Sequence, residues 1–421
     1  MATQRSTHVV VDLGFGDAGK GTIVDALARR CSSPPLVVRY NGGAQAGHNV
    51  ITRDGRHHTF SQFGSATFTS GSRTLLSQYM LMEPYGLLRE YEHLRDSCGV
   101  KDAFSRLLID ERAVVITPYH AAMNRLREIA RGDNKHGTCG IGVGEAASEA
   151  KLPDCIRVGD LRDRKVLIQK LKSIRARKQH QASELGLSDV VFTDLDSVIN
   201  ITNFFENAST WFNTCSARTA SRLIRDAEHV IFEGAQGVLL DEWYGFHPHT
   251  TWSTTTTENA LQMFEKSYRE GDVTRIGVVR SYATRHGQGP FPTYSEHKTR
   301  KHREAHNHDT GPQGSFRAGY FDVPLTKYAL SVSPVDALAM THCDHISGGY
   351  CSSYEPMTEL VGKRGDLDHQ ERLGRMLGSV RPRVVEVTQP ALFPEQMASL
   401  LEVPLAVKSY GPTAEDKVWL R

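Results

Sequence analysis

The stretch from His8 to Thr22, HVVVDLGFGDAGKGT, leaves the chain few choices of fold. Its first six residues are mostly apolar and β-branched and run into a glycine loop, which fits a buried strand. Thr22 to Arg30 then carries apolar residues at helical spacing, and Pro35 to Tyr40 reads as a second buried strand. Strand, glycine loop, helix, strand is how a parallel α/β sheet is assembled. Further strands are expected at Arg106–Ile109, Ala113–Ile116, Val230–Phe232 and Ile276–Val279, with a helix at Tyr119–Ala130. Arg162–Leu187, rich in Lys, Arg and Gln, is expected to be an exposed helical excursion. The pattern predicts an α/β fold: a large, mostly parallel central sheet flanked by helices, phosphate-loop-like and nucleotide-binding, with inserted subdomains. No linker divides the 421 residues, so a single domain is expected, with insertions near 80–220 and 295–325.

Composition narrows the function classes. Lys plus Arg is 50 and Asp plus Glu is 48, which lacks the basic excess of a dedicated nucleic-acid binder. The seven cysteines are scattered with no CxxC pair, which fits a reducing, cytoplasmic setting. No apolar run approaches the ~20 residues that span a bilayer, so no membrane partner is expected. Glycine (36) and histidine (19) are both abundant, and they concentrate attention on the loops.

Five loops carry candidate chemistry. Gly14-Phe-Gly16-Asp17-Ala-Gly19-Lys20-Gly21-Thr22 is close to the phosphate loop GxxxxGK[ST], with Gly21 where a hydroxyl usually sits. Its glycines let backbone N–H groups approach phosphate oxygens, and the helix start adds its dipole. Asp17 would repel phosphates, which makes it a candidate metal ligand or base. The missing hydroxyl disfavours a generic phosphate-loop motor or switch. In Asn41-Gly-Gly43-Ala-Gln45-Ala-Gly47-His48-Asn49, His48 could stabilise charge on a leaving phosphate. Gly137-Thr138-Cys139-Gly140-Ile-Gly142-Val-Gly144 offers a second phosphate cradle. Phe232-Glu-Gly234-Ala-Gln236-Gly237 presents a carboxamide able to read a base edge. Tyr282 to Thr293 places Arg285 to meet an anion.

Together these loops resemble the adenylosuccinate synthetase family. That family's GDEGKGK, NAGH, GTTGRGIGP, FEGAQG and TTRxGxGPFPT segments stand here, in order, as GDAGKGT, QAGHNV, GTCGIGVGE, FEGAQG and ATRHGQGPFPT. Arg157-Val-Gly-Asp-Leu161 and Ser409-Tyr-Gly411-Pro412 extend the match to essentially the whole chain. The resemblance implies a ligase that joins a 6-oxopurine nucleotide to aspartate using GTP and Mg²⁺. By motif position, Asp17 would be the base and a Mg²⁺ ligand, with the Gly47 carbonyl completing the metal shell. Lys20 would bind phosphate, His48 would act as acid and Gln236 would hold the purine 6-oxygen. Gly16, Gly19, Gly21, Thr22, Thr138, Thr251, Arg285, Asp344, Ser409 and Gly411 would contact nucleotide, and Thr310, Gly311 and Arg317 would form the amine-donor loop. The resemblance also implies a homodimer.

The sequence departs from the family at Ala18, Gln45, Cys139 and Ile141, and a family arginine that crosses to the neighbouring subunit falls at Pro153, beside Lys151. In the amine-donor loop an acid, Asp309, and Pro312 replace a threonine and an arginine. His342 stands for a lysine of the guanine-reading TKLD, which admits ATP beside GTP. A changed purine or amine donor, as in a 2-aminoadenylosuccinate-type reaction, and a catalytically silent nucleotide-binding relative are the alternatives. His297–His308, with four histidines, is expected to be a mobile basic substrate loop rather than a metal site.

Overall fold

The computed structural model describes residues 5–132, 137–187, 197–302, 314–356 and 359–420. A ten-stranded sheet runs through the chain. Across it, the strands are Lys417–Trp419, Leu405–Ser409, Ala337–Thr341, Thr274–Arg280, Ser6–Asp12, His229–Glu233, Leu36–Arg39, Arg73–Leu76, Leu107–Asp110 and Asn213–Cys215. Every neighbouring pair is parallel except the last C-terminal hairpin, Leu405–Ser409 with Lys417–Trp419. This is the mostly parallel sheet that the opening strand predicts.

A parallel sheet covered on both faces needs apolar residues on both. Val10, Val37, Ile231, Ile276 and Val278 pack against Ile23, Val24 and Leu27 of the first helix, Lys20–Arg30. Val9, Val38, Leu75, Val230 and Phe232 pack on the other side against Ile224 and Ala260. Each fully buried aliphatic side chain contributes about 1.5–3 kcal/mol through its removal from water. The second strand, Leu36–Arg39, is shorter than the expected Pro35–Tyr40.

Residues 80–220 hold helices Pro84–Asp96, Pro118–Arg131, Val143–Ser148, Arg164–Glu184 and Val198–Ala208. They also supply two strands of the central sheet, Leu107–Asp110 and Asn213–Cys215, so this stretch is woven into the sheet. Arg164–Glu184 departs from the exposed helix expected: Leu167, Leu171, Ile174, Lys178 and Ala182 are buried. The Lys178 ammonium lies between the Glu145 and Glu149 carboxylates at 2.8 and 2.7 Å. A basic composition therefore conceals a buried face whose cation is neutralised by two acids. Between 295 and 325, helix Glu296–Lys301 and strands Phe316–Gly319 and Phe321–Asp322 are described, while 303–313 lie outside the described residues. Lys298, expected on a mobile loop, is instead buried with its ammonium on the Ser347 carbonyl at 2.8 Å.

Candidate active site

Ligands in open α/β sheets bind beyond the carboxyl ends of the strands. Here Asp12, Arg39, Glu233, Arg280, Thr341 and Ser409 all end parallel strands on that side. They underlie a cavity of about 1470 Å³. That exceeds the ~300–1,000 Å³ of an ordinary single-ligand pocket, which gives room for more than one ligand.

The phosphate loop is tied down by a residue that sequence reasoning missed. Asp12 accepts from the backbone N–H groups of Gly14 at 2.8 Å and Ala18 at 2.9 Å, and its Oδ2 meets Lys20 Nζ at 3.0 Å. Lys20, expected on phosphate, lines the cavity with its charge already balanced by this buried pair. The only signal was a carboxylate closing a run of valines. Gly19 caps the first helix in the left-handed region, φ 89°, as a tight loop-to-helix turn requires. Asp17 sits at φ 59° and Gln236 at φ 56°, uncommon for residues with a Cβ and concentrated at functional sites.

Asp17 faces the cavity with its Oδ2 on His286 Nε2 at 2.8 Å. Burial works to raise its carboxyl. The His286 bond and the charges of His286, Arg280 and Lys20 outweigh burial and hold it at about 2, so Asp17 is ionised at neutral pH. The Arg280 Nε–H also donates to the Asp17 carbonyl at 2.5 Å, fixing the backbone beneath it.

His48 starts a short hairpin, His48–Ile51 paired with His57–Phe60, and is buried with Nδ1 at 2.6 Å from Glu233 Oε1. Glu233 also accepts from the Ser65 backbone N–H at 2.9 Å and from the Ser65 hydroxyl. It sits in register beside buried Arg39, which helps hold its carboxyl at about 2 against burial. Burial lowers the His48 imidazole despite the Glu233 bond. The arrangement is a carboxylate fixing one ring nitrogen so that Nε2 is left for chemistry. The acid in FEGAQG was the available signal for this partner.

The first helix approaches this hairpin closely. A Cβ added to Gly21 would lie 2.7 Å from the Cβ of His48 and 3.1 Å from Ser65 Oγ. The missing loop hydroxyl is therefore a packing requirement. Thr22 does not replace it, since its hydroxyl donates to the Pro412 carbonyl at 2.8 Å.

Gln236 lines the cavity, and its buried Oε1 has no hydrogen-bond partner among the described residues. Asn41 locks the same loop by bonding both the N–H and the carbonyl of Ala235, at 2.8 and 3.1 Å. Gly16, Gly47, Thr138, Thr251, Asp344, Ser409 and Gly411 all line the cavity. Thr138 Oγ1 accepts from Asn124 at 2.9 Å, Ser409 Oγ donates to the Gly411 carbonyl at 3.1 Å, and half-exposed Asp344 lies 3.4 Å from His345.

Two arginines carry contacts that the sequence did not show, and Arg285 also lines the cavity. Arg285 is buried, with its donors on the carbonyls of Gln288, Pro290 and His249 and its plane 4.1 Å from the Phe15 ring. Burial, with nearby Arg317, drops its guanidinium to about 9. It braces the cavity wall. Arg317 pairs with Arg285 in a two-stranded ladder, stacks on Phe291 at 5.5 Å and is not among the lining residues. Thr310 and Gly311 lie outside the described residues. Unforeseen lining residues include Asn124, Arg280, Trp252 and four histidines, His247, His249, His286 and His345.

The sequence profile of the adenylosuccinate synthetase family matches residues 9–373. The chain belongs to the adenylosuccinate synthetase family. The chain is 29% identical to the adenylosuccinate synthetase of Bdellovibrio bacteriovorus, covering 98% of both chains. With that of Chlorobium phaeovibrioides it shares 30% identity over 99% of this chain and 98% of the relative. Among solved structures, a fully ligated Plasmodium falciparum adenylosuccinate synthetase matches with TM-score 0.82 at 20% identity, covering 99% of this chain and all of that one. A cyanophage S-2L succinoaminodeoxyadenylate synthetase, bound to dGMP and dATP, matches with TM-score 0.64 at 15% identity over 99% and 95% of the two chains. Both likenesses bear out the fold. Family membership brings the expected reaction type, a GTP-dependent C–N ligation on a purine nucleotide, so the chain is an enzyme of purine biosynthesis. Among the described residues, no helix is long and apolar enough to cross a membrane.

Proposed function

We propose that the chain phosphorylates a 6-oxopurine nucleotide on O6 and then joins it to the amino group of aspartate or a related amino acid. The observation that carries this reading is the pairing of Asp17 with His286 and of His48 with Glu233 on two loops of one cavity. Asp17 takes the N1 proton, and O6 attacks the γ-phosphorus and releases the nucleoside diphosphate. His48 Nε2 stabilises the transferring phosphoryl group. The amino nitrogen then adds at C6 and phosphate leaves with the C–O bond. Because Asp17 holds a proton weakly, the substrate's phosphate charges must raise its affinity for the N1 proton. Positioning and electrostatics supply most of the rate in such transfers.

Mg²⁺ fits the oxygens on hand. The ionised Asp17 carboxylate and the Gly47 carbonyl both belong to the cavity wall, and both are hard ligands suited to that ion. The ion would neutralise charge on the γ-phosphate. Asp344 can accept from guanine N1 and N2, which favours GTP over ATP as donor. Lys20, Gly16, Gly19, Gly21, Thr138, Thr251, Ser409 and Gly411 complete the proposed nucleotide contacts, while Thr310, Gly311 and Arg317 remain the proposed amine-donor segment. A cytoplasmic homodimer is part of the proposal.

Phosphate release from purified protein tests it, with IMP, GMP or dGMP, GTP or ATP, and a panel of amino acids. Release dependent on a 6-oxopurine nucleotide is expected, and which purine responds separates the IMP reaction from a 2-aminopurine variant. Tight nucleotide binding without any turnover would overturn the reading in favour of a silent relative. Asp17→Asn should abolish turnover and spare nucleotide binding.

A further inference from the structure

We propose that His58, His93 and Cys98 form a site for one zinc-class cation that fastens the His48 hairpin to the helix Pro84–Asp96. His58 lies on the hairpin strand His57–Phe60, His93 in the last turn of that helix and Cys98 two residues past its end. One donor atom from each falls within 4.8 Å of the others. His58 Nδ1 and His93 Nδ1 are 2.7 Å apart, and Cys98 Sγ is 3.9 Å from His93 Nδ1. Tetrahedral zinc, with bonds of about 2.0–2.1 Å to nitrogen and 2.3 Å to sulfur, needs separations of about 3.3 Å between nitrogens and 3.6 Å between nitrogen and sulfur. Sub-ångström shifts bring the His58–His93 and His93–Cys98 pairs to those separations. His93 is exposed, so its side chain can make the shift and leaves a way in for the ion, while His58 and Cys98 are buried.

A second observation points the same way. His58 Nε2 is buried and has no hydrogen-bond partner among the described residues. It lies 3.6 Å from Glu90 Oε1, and the Glu90 carboxylate is held by the backbone N–H groups of Ser61, Gln62 and Phe63 at 2.8–3.1 Å. A histidine that gives Nδ1 to a metal carries its proton on Nε2, and here that nitrogen already faces the Glu90 carboxylate, so the small shift that seats the ion can close the bond. Without metal, a single proton between the two Nδ1 atoms must hold the pair. Binding moves that proton to the exposed Nε2 of His93, which keeps the ring neutral, and replaces the Cys98 thiol proton with the ion, so one proton goes to water. Burial raises the Cys98 thiol and the charge of Arg56 lowers it, so thiolate formation is left mainly to the metal.

Two imidazoles and a thiolate select zinc over magnesium, which separates this cluster from the oxygen ligands at Asp17 and Gly47. Val50 pairs with His58 and His48 with Phe60 across the hairpin, and the His58 and Phe60 rings meet at 4.6 Å. The ion would thus stiffen the strand pair from which His48 reaches the cavity.

The test is titration of the chelator-treated full chain with cobalt(II) alone. We expect one equivalent with a sulfur-to-cobalt charge-transfer band, displaced by zinc and untouched by excess magnesium. Cys98→Ser should abolish the band. His93→Ala, at an exposed position, should weaken binding at least tenfold and remove the rise in Tm that zinc gives the parent protein. No sulfur band in the parent, or a band unchanged in either variant, would overturn the site.

Discussion

His286 Nε2 lies 2.8 Å from the Asp17 carboxylate, so the strand Ala283–His286 reaches across to the phosphate loop. The proposed base is therefore tuned by a residue from a distant loop. Removing the imbalance that holds Asp17 at about 2 must raise its carboxyl. In His286→Ala the acid limb of the kcat/KM profile should move to higher pH. His286→Gln, which can still donate, should recover part of the shift. An acid limb that stays in place would remove His286 from this role.

Glu233 supports His48 from the opposite wall. Glu233→Gln keeps the shape but loses the charge that faces both His48 and Arg39. We expect kcat to fall by about 10²-fold or more as the ring loses its fixed tautomer. Stability should fall by about 3–5 kcal/mol as Arg39 is left buried without its counter-charge. Steady-state kinetics and calorimetry read the two effects separately.

Asp322 gives the fold a pH dependence of opposite sign to ordinary carboxylates. Burial raises its carboxyl to about 7, against bonds from the Leu325 N–H and the Tyr354 hydroxyl. The folded chain keeps this proton when the unfolded chain, with a pKa of about 3.9, has lost it. Its contribution is full below about pH 4 and is lost as pH rises to about 7. Urea unfolding of parent and Asp322→Asn should show the parent losing stability relative to the variant as pH rises across that window, and a difference that does not change with pH would remove Asp322 from this role.

Lys178 tests the buried face of the helix Arg164–Glu184. Lys178→Met leaves Glu145 and Glu149 facing each other with only the flanking Arg127, Arg177 and His120 to compensate. A loss of about 3–5 kcal/mol is expected by urea titration. A loss under 1 kcal/mol would show that those neighbours suffice.

The positions of most sheet strands and most loops were legible because they depend on local sequence: β-branched runs, glycine turns and helical spacing. Asp17, His48 and Gln236 were found on that basis, and the structure brings them to one cavity. What was not legible depends on pairing between distant segments. Glu233 with His48 and His286 with Asp17 are separated by 185 and 269 positions, and even Asp12 with Lys20, 8 apart, meet only through the three-dimensional turn of the loop. Charge counts also misread Arg164–Glu184, since a lysine can be buried wherever two acids meet it. Arg285 lines the cavity, but the three carbonyls that its guanidinium meets were not legible in the sequence.

The contact between Gly21 and His48 also separates this phosphate loop from the hydroxyl-bearing kind in evolutionary terms. Restoring a serine at Gly21 would collide with His48 before any metal could profit from the hydroxyl. Removing His48 first would strip the proposed acid while the hydroxyl was still missing. Each single step is worse than either end point, so the two loop types face each other across a fitness valley that only a paired change can cross.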